Sequence, residues 1–330
     1  MDVLSDAISA VRVGRPIARR VTLGGTWCGR LAGYEGAGFH TVLRGSCWLL
    51  PDDGSAPVVL GPGDTVLLPH GTGHVLADAP AGRHALERAV LFDDLLADPP
   101  ALTAPDAPAP NPPASDAPGA VELLCGKYRL DHSNPHPLLA ELPSVVRLPD
   151  RPGRHPELRA AIELLAREVG TGAPGAGVTV PALLDLLLAY LVRAHLADQR
   201  EAAPDPADGT GKPLPGWPAA LADPVVAAAL HALHEAPDRP WSNEQLAASA
   251  GVSRATLARR FTALVGRPPM AYLGWWRMTR AAALLRDTRA PIETIARQVG
   301  YGSPYALSHA FTRTFGTTPG RYRARAQAES

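Results

Sequence analysis

The sequence contains little cysteine, and its few cysteines do not form a pattern that binds a structural metal. There are three, Cys28, Cys47 and Cys125, far apart in the chain, whereas structural zinc sites use closely spaced pairs. The sequence shows no basic segment followed by an apolar stretch at its start, as a secretory signal peptide would. An odd number of cysteines in such a chain argues against a disulfide framework, and we expect a reducing cytoplasm.

Long apolar runs and the common catalytic motifs are also missing. The longest apolar runs, such as PALLDLLLAYLV, have about twelve residues, whereas a membrane-spanning helix needs about 20. The sequence has no phosphate-binding loop, no HExxH zinc motif and no nucleophile elbow. It therefore predicts no membrane partner and carries no sign of the commonest hydrolytic enzymes.

Charge is balanced over the 330 residues but unevenly distributed along them. Residues 219–330 contain 14 Arg and no Lys against seven acidic residues, and residues 1–218 carry an equal excess of negative charge. A basic region behind an acidic one is the pattern expected when one half of a chain binds a polyanion such as double-stranded DNA.

The basic region contains the same unit twice. Residues 246–273 read LAASAGVSRATLARRFTALVGRPPMAYL, and residues 295–323 read IARQVGYGSPYALSHAFTRTFGTTPGRYR. In each unit a short helix meets a glycine, Gly251 or Gly300, and a second helix begins a few residues later. Ser253 and Ser303 stand where the N-caps of the second helices belong. The pattern predicts two helix-turn-helix units, whose second helices enter the major groove of DNA.

The second helix of each unit is predicted to have one buried face and one DNA-facing face. Helical spacing places Leu257 and Phe261 inward in the first helix, and Leu307 and Phe311 inward in the second. The predicted DNA-contacting residues are Arg254, Ala255, Ala258 and Arg259 in the first unit and Ser303, Tyr305, Ser308, His309 and Arg313 in the second. The alternative is that these faces are merely solvated, but the repetition and the arginine excess argue against it.

These landmarks resemble the signature of the AraC/XylS family of bacterial transcription regulators, over about residues 218–325. The resemblance implies an all-α domain that reads asymmetric promoter sites, with promoter DNA, RNA polymerase and a small effector as partners. Fold-level analogy alone favours an activator. The chain departs from the family at Ala255 and Ala258, so base reading by the first helix must come from Arg254 and Arg259.

The N-terminal region is predicted to be rich in β-strands. Short Val- and Leu-rich runs separated by Gly, Pro and Asp are typical of a sandwich or barrel. The stretch GDTVLLPHGTGH fits the second cupin motif at Gly63, Pro69, Gly71 and His74, and the region resembles the cupin-like sensor domain of a subset of these regulators. The predicted fold class is therefore α+β with two domains: an N-terminal cupin-like β-barrel with flanking helices, and a C-terminal all-α domain with two helix-turn-helix units.

Composition sets the predicted domain boundaries. The effector-sensing and dimerisation domain covers residues 1–200, a polar linker covers 201–218, and the DNA-binding domain covers 219–330. Residues 98–119, rich in Pro and Ala, are predicted to form a disordered insertion.

Residues 155–200 are predicted to be helical and to mediate dimerisation. Pro181 is expected to open the second helix of this segment, which is apolar on two faces. A helix apolar on two faces needs a second partner, and we expect a homodimer. The alternative is that both faces pack within one chain.

The resemblance to cupins raises a metal hypothesis. Metal-binding cupins supply two histidines and a glutamate from their first motif, whereas this chain offers only His40 there. His40, His74 and Cys125 are the candidate ligands of a divalent metal such as zinc. The alternative is that the histidines line an organic effector pocket or are satisfied core residues.

A redox trigger is a second hypothesis for the sensor. Lys127 and Arg129 lie near Cys125 in the sequence and favour its thiolate. Because some regulators with this sensor domain respond to oxidants, Cys28 and Cys125 are the candidate redox pair. The alternative is that a buried free cysteine behaves as a small apolar residue.

Together these patterns predict a one-component transcription regulator. A metal-dependent cupin enzyme needs three or four metal ligands, and the incomplete first motif argues against it. A general architectural DNA-binding protein would not need a sensor domain, and a sharp sequence preference in binding would exclude it.

Overall fold

The structure is a computed structural model, and it describes residues 2–80, 86–87, 89–97, 120–131, 135–171, 173–202 and 216–328. The predicted insertion at 98–119 and most of the predicted linker at 201–218 lie outside these residues. The chain divides into two compact units. The helical unit comprises Met1–Gly14, Asp131–Glu141 and Leu196–Ser330, and the β unit comprises Arg15–Leu130 and Leu142–His195.

Short strands form two sheets in the β unit. The strands are β1 (Arg12–Leu23), β2 (Cys28–Leu31), β3 (Gly36–Arg44), β4 (Cys47–Pro51), β5 (Val58–Leu60), β6 (Thr65–Leu68), β7 (His74–Ala77), β8 (Val90–Leu91), β9 (Val121–Leu130) and β10 (Val146–Leu148). One five-stranded sheet has the order β1-β9-β3-β6-β10, and the other has the order β5-β4-β7-β2-β8. This confirms the predicted β-rich N-terminal region.

Alternation along the strands divides the apolar residues of the β unit between two clusters. In β4, Cys47 and Leu49 belong to the main core cluster, whereas Trp48 and Leu50 belong to a smaller cluster on the other face. Successive strand residues point to opposite faces, so this division follows from the period of two. The main core contains residues of both sheets.

Two histidines are carried into the buried interior by neighbouring parts of this fold. His40 of β3 lies opposite Cys125 of β9 and opposite Val66 of β6. His74 begins β7 in the other sheet, opposite Leu31 of β2. Both histidines are buried.

Five of the described helices lie within the first 201 residues. Three are short, α1 (Val3–Val11), α2 (Phe92–Ala97) and α3 (Pro137–Ala140), and two are long, α4 (Pro156–Thr171) and α5 (Ala176–Glu201). Helix α5 begins at Ala176, five residues before the predicted start at Pro181. Proline lacks the amide hydrogen that would bond the carbonyl of Gly177, and this early in the helix it removes only that one bond. The predicted N-terminal role of Pro181 was therefore wrong.

Helix α5 is also longer than the apolar run that predicted it. It has 26 residues, and by length and composition alone it is long and apolar enough to cross a membrane, with a mean hydropathy of 1.6 over its most apolar 18 residues. The sequence-based statement that no run is long enough is corrected here. Core helices can have the same composition; in α5, Leu184, Leu187 and Leu191 are fully buried, but only 28% of this apolar window is buried.

In the described residues from 216 to 328, all the regular secondary structure is helical, as predicted. These helices are α6 (Trp217–Ala222), α7 (Pro224–Glu235), α8 (Asn243–Ser249), α9 (Arg254–Val265), α10 (Pro269–Asp287), α11 (Ile292–Gln298), α12 (Pro304–Phe315) and α13 (Pro319–Ala328). Helices α8 and α9 form the first predicted helix-turn-helix unit, and α11 and α12 form the second.

The turns of the two units are built in the same way. Gly251 and Gly300 adopt left-handed backbone conformations, with φ of 68° and 77°. The amide of Val252 donates to the carbonyl of Ala247 at 3.1 Å, and the amide of Tyr301 donates to the carbonyl of Ala296 at 2.8 Å. These equivalent hydrogen bonds satisfy the last carbonyls of α8 and α11, as in a Schellman cap. The repetition in sequence is therefore a repetition in structure.

The helical unit also includes two segments that precede the predicted DNA-binding domain in sequence. Helix α1 and the segment containing α3 pack with α7 and α10 through a buried chain of hydrogen bonds. Its links are Leu138 N to His136 Nδ1 (3.2 Å), His136 Nε2 to Tyr272 Oη (3.3 Å), Tyr272 Oη to His234 Nε2 (2.7 Å) and His234 Nδ1 to Asp6 Oδ2 (3.0 Å). The units therefore differ from the predicted boundaries at 200 and 219, because these contacts join residues far apart in sequence.

We predict unequal costs for alanine at the two turn glycines. Gly251→Ala places a side chain in open space, so its cost is the left-handed conformation alone, about 1 kcal/mol. Gly300→Ala brings the new Cβ to 2.9 Å from the backbone Cα of Asp238 and 2.7 Å from Arg277, so its cost is larger. Urea denaturation of the full-length variants measures both, and equal losses would contradict the packing described for Gly300.

Candidate functional site: two helix faces and a cavity

The second helix of each repeated unit starts at a serine and ends at a glycine. Ser253 Oγ accepts the amide of Thr256 at 3.2 Å, and Ser303 Oγ accepts the amide of Ala306 at 3.1 Å. Gly266 and Gly316 follow the last turns in left-handed conformations. Ser303, predicted both as a cap and as a DNA contact, is half-buried and engaged as the cap.

The predicted inward faces are buried. Leu257 and Phe261 in α9 and Leu307 and Phe311 in α12 have exposed fractions of 1% or less. In α12 this face packs with residues of α10 and α11, including Met278, Leu285 and Ile295.

The predicted outward faces are open. Arg254, Ala255 and Arg259 in α9 and Tyr305, His309 and Arg313 in α12 are exposed, whereas Ala258 and Ser308 are half-buried. Tyr305 has an exposed fraction of 82%, the highest among the large hydrophobic residues that the structure describes as exposed. A large aromatic side chain placed there has no packing role within the described chain. It is free to contact a base or a sugar.

The first helix presents one of its two predicted arginines in an ion pair. Arg254 Nη1 lies 2.8 Å from Glu244 Oε1 of α8, and both side chains are about two-thirds exposed. Because an exposed pair of this kind is weak in water, phosphate or guanine can replace the glutamate. Arg259 is exposed and is the more direct candidate.

The two units are joined by α10, a helix of 19 residues and therefore about 28 Å in length. The core-like spacing of Leu273, Trp276, Ala283 and Leu284 in the sequence predicts one buried face on this helix. Leu273 and Trp276 are buried, but Ala283 and Leu284 are only half-buried, and Ala282 and Leu285 take the core positions. The buried face of α10 is shifted by one residue at its C-terminal end, because that end packs on the second unit. Met278 and Leu285 both contact this unit, and their separation of seven residues, two helical turns, places them on one face of the helix.

The β unit contains a cavity of about 300 Å³. Its apolar wall includes Val21, Leu31, Leu68, Phe92 and Leu96. Its polar lining comprises Tyr34, His40, Thr72, His74, Cys125 and Lys127, with Arg19, Arg30 and Asp93. All three candidate metal ligands therefore line one cavity.

The polar groups of the cavity form a chain whose proton positions can be assigned. The carbonyl of Thr72 can only accept, so His74 Nδ1, at 2.8 Å, carries a proton and donates it. In neutral His74 the Nε2 atom then accepts from His40 Nε2, at 2.8 Å. His40 Nδ1 consequently accepts from the thiol of Cys125, whose Sγ lies 3.0 Å away. We name this Cys125–His40–His74–Thr72 chain the cavity relay.

Burial keeps the cavity relay neutral. Burial, with His74 and Lys127 nearby, holds the pKa of His40 well below its ordinary value, and burial likewise lowers the pKa of His74. Burial also raises the pKa of the Cys125 thiol, and this outweighs the nearby charges of Lys127 and Arg19. The thiol is therefore protonated at neutral pH, contrary to the thiolate predicted from Lys127 and Arg129.

The three predicted metal ligands are neighbours but do not surround a common point. His40 presents Nε2 to His74 and Nδ1, on the other side of the ring, to Cys125. An ion bound between the two histidines would therefore not reach the thiol. No group of three or more His, Cys, Asp or Glu within the described ranges is arranged to hold a metal. The predicted three-ligand zinc site is not formed.

Cys28 and Cys125 are not brought together either. Cys28 lies in β2 and packs against the small cluster that contains Leu50, Val75 and Ala77. Cys125 lies in β9, in the other sheet, and packs against the main core. Instead, Cys47 is close enough to influence the charge of Cys125. Burial raises the pKa of Cys47 itself to about 12. The prediction of a Cys28–Cys125 pair depended on sheet geometry that one sequence does not reveal.

Lys127 and Tyr34 are cavity residues whose role was missed. In the sequence, Lys127 stands out only as a charge near Cys125. Alternation along a strand places residues 125 and 127 on one face, so the assignment of a strand to 121–130 would have indicated that Lys127 lies on the same side as Cys125. Tyr34 follows β2, and its hydroxyl donates to the carbonyl of Ala37 at 2.5 Å.

Comparison with known proteins gives two family matches. Residues 2–197 match a cupin family, and residues 246–325 match a helix-turn-helix domain family. The chain is 34% identical over 324 residues to a putative AraC-like transcription regulator of Streptomyces antibioticus, and 33% identical over 323 residues to one of Streptomyces lividans. Each comparison covers 98% of both chains.

Two further relatives are informative about parts of the chain. The RCS-specific HTH-type transcriptional activator RclR of Escherichia coli is 31% identical over 207 residues, covering 62% of this chain and 68% of RclR. Among solved structures, the DNA-binding domain of AdpA in complex with a target DNA is 34% identical. It covers 32% of this chain and 96% of that chain, with a TM-score of 0.31.

We predict that the exposed arginines of both second helices contribute to DNA binding. Arg259→Ala and Arg313→Ala should each weaken binding about tenfold, and each should lower the slope of log affinity against log salt by about one if the arginine contacts phosphate. Fluorescence anisotropy with a bound DNA fragment, repeated at several salt concentrations, measures both quantities. Arg151→Ala, which removes an exposed arginine of the β unit, is the matched control. Unchanged affinity in both test variants would contradict the assignment of the faces.

We also predict that the thiols differ in reactivity. Burial raises the pKa of Cys47 and Cys125 strongly and the pKa of Cys28 less, although Cys28 and Cys125 are both half-buried as residues. Iodoacetamide should therefore alkylate Cys28 first in the native protein, and the other two more than tenfold more slowly, because only the thiolate reacts. Peptide mass mapping with and without denaturant measures the three rates. Rapid alkylation of Cys125 in the native protein would restore the reactive-thiol hypothesis.

Proposed function

The chain belongs to the AraC family of helix-turn-helix transcription regulators with an N-terminal cupin domain, and on that premise we propose that it is a cytoplasmic activator controlled by a small molecule. The family consists of DNA-binding regulators rather than enzymes. The finer elements of the proposal are activation, a small-molecule effector and a homodimer.

The repeated turn and the two open helix faces carry the DNA-binding part of the proposal. Equivalent left-handed glycines set equivalent angles in the two units, so both second helices are presented in the same way. Major grooves on one side of B-DNA recur about every 34 Å, and a connecting helix of about 28 Å suits two successive grooves. Activation is supported by the Escherichia coli relative, which is named a transcriptional activator.

The cavity supports a small molecule as the effector rather than a metal or an oxidant. Its volume of about 300 Å³ lies at the lower end of the range for small-molecule sites. The cavity relay uses its histidine nitrogens internally, so they are not directed at one metal ion. The protonated thiol of Cys125 is a poor nucleophile towards oxidants.

Chain continuity offers a route from the cavity to the helical unit. Strand β1 supplies Ile17, Ala18, Arg19 and Val21 to the cavity, and β9 supplies Cys125, Gly126 and Lys127. Strands β1 and β9 are neighbours in one sheet. Helix α1 directly precedes β1, and Asp131 directly follows β9. Both belong to the helical unit, where Asp131 accepts a hydrogen bond from Tyr322 of α13 and pairs with Arg286 at the end of α10.

The long helices of the β unit support the homodimer. Leu184, Leu187 and Leu191 of α5 are buried within the chain, as the intramolecular alternative expected, but Val178 and Leu186 of α5 and Leu164 of α4 keep exposed fractions of 77%, 42% and 45%. Exposed leucines on two helices suit a self-complementary contact with a second copy.

Capture of genomic DNA by the purified full-length protein tests this function, with a reporter gene placed behind each captured promoter. We expect a sharp motif present twice per site and higher reporter output with the protein than without it. Leu186→Glu should leave a single motif per site, because a charge disrupts the proposed dimer. Val59→Glu, at an equally exposed apolar residue, is the matched control.

The outcomes separate the parts of the proposal. Diffuse capture in wild type would overturn sequence-specific regulation. A sharp motif with lower reporter output would make the protein a repressor. If the Leu186→Glu variant still captures sites with two motifs, the face of α5 that contains Leu186 is not the dimer contact.

A further inference from the structure

One of the two lysines in the chain lines the cavity. The sequence contains 30 Arg but only Lys127 and Lys212, and Lys212 lies outside the described residues. The Nζ atom of Lys127 lies 5.3 Å from the centroid of the Tyr34 ring, and both residues line the cavity. The ammonium is close enough to His40, His74 and Cys125 to influence the charge of all three.

The other charged residues of the cavity lining are neutralised in pairs. Arg19 Nη1 lies 2.7 Å from Asp93 Oδ1, and Arg30 Nη1 lies 2.8 Å from Asp52 Oδ1. Within the part of the chain that the structure describes, no carboxylate lies within 4.0 Å of the Lys127 ammonium. Lys127 is exposed to solvent as well as lining the cavity, and it gives the cavity lining one positive charge that no carboxylate pairs with in the described residues.

The remaining groups of the cavity do not supply a balancing negative charge. The cavity relay is neutral, and each of its donors already has an acceptor. The Tyr34 hydroxyl donates to Ala37, and burial raises the pKa of this phenol, so it remains protonated. The rest of the lining consists of uncharged residues, namely Gly, Ala, Val, Leu, Ile and Phe.

From this arrangement, and resting on the proposed function of the cavity as an effector site, we infer that the ligand is an amphipathic organic acid. Its apolar body lies against Leu31, Leu68 and Phe92, and its acidic group meets the Lys127 ammonium. A volume of about 300 Å³ suits an aromatic or short-chain acid, not a long acyl chain. Lysine suits this role because its ammonium is a compact charge on a flexible stem, which follows acids of different shape.

Three probes of one shape and different charge test the inference: 2-naphthoate, 2-naphthalenemethanol and 2-naphthylmethylammonium. Isothermal titration calorimetry of the full-length protein should show the acid binding about tenfold more tightly than the alcohol, the order expected for a hydrogen bond between charged groups. The ammonium probe should bind most weakly. Lys127→Gln should reduce the preference for the acid over the alcohol to less than twofold, and Lys212→Gln should preserve it.

Amine acylation gives a second readout that needs no substitution. Saturating 2-naphthoate should slow the acetylation of Lys127 by a water-soluble ester, while the acetylation of Lys212 in the same molecule continues at its original rate. Peptide mass spectrometry measures both lysines in one sample. If Lys127 is acetylated at the same rate with and without 2-naphthoate, the proposed contact between the acid and Lys127 is contradicted.

Equal affinity for the acid and the alcohol in wild type would overturn the inference, and so would a Lys127→Gln variant that keeps the preference. Failure of all three probes to bind would also overturn it. None of these results affects DNA binding, which is measured on the same samples by genomic capture. Loss of specific DNA binding would instead overturn the proposed function, whatever the probes show.

Discussion

The helical unit depends on a buried chain of hydrogen bonds that runs in one direction from Leu138 to Asp6. The amide of Leu138 can only donate, so His136 accepts at Nδ1 and donates at Nε2 to Tyr272, which donates to His234. His234 then donates from Nδ1 to the Asp6 carboxylate. All four side chains are buried, and removal of one leaves its neighbours unpaired at a cost of about 1–3 kcal/mol each. These hydrogen bonds thus hold α1 and α3 against α7, which precedes the first repeated unit, and α10, which joins the two units.

This constraint explains why compact units and family matches divide the molecule differently. The cupin match covers residues 2–197, yet Met1–Gly14 and Asp131–Glu141 belong to the helical unit. These two segments directly precede β1 and directly follow β9, which are neighbouring strands that both line the cavity, and β9 supplies Cys125 and Lys127. A ligand that moves either strand acts on a backbone that is continuous with the DNA-binding half. Covalent continuity and the buried hydrogen bonds together offer a physical basis for the proposed regulation by a small molecule.

Local features of this fold could be predicted from the sequence, and non-local ones could not. The glycines of the two turns, the serine caps and the inward faces of α9 and α12 depend on residues within one or two helical turns, so their patterns are visible in a single sequence. The zinc site failed because it depends on which ring nitrogen of His40 faces Cys125. The Cys28–Cys125 pair failed because it depends on the assignment of strands to sheets. The proposed role of Lys127 could not be predicted from the sequence, because it depends on which neighbouring charges are paired in the fold.

The central claim is that both repeated units read DNA at once. Methylation interference on a captured promoter fragment tests it most directly, because methylation at guanine N7 blocks contacts in the major groove. The account predicts two clusters of interfering guanines per protomer, about one helical turn apart on the same face of the duplex. A single cluster, or weak interference spread evenly over the fragment, would contradict it.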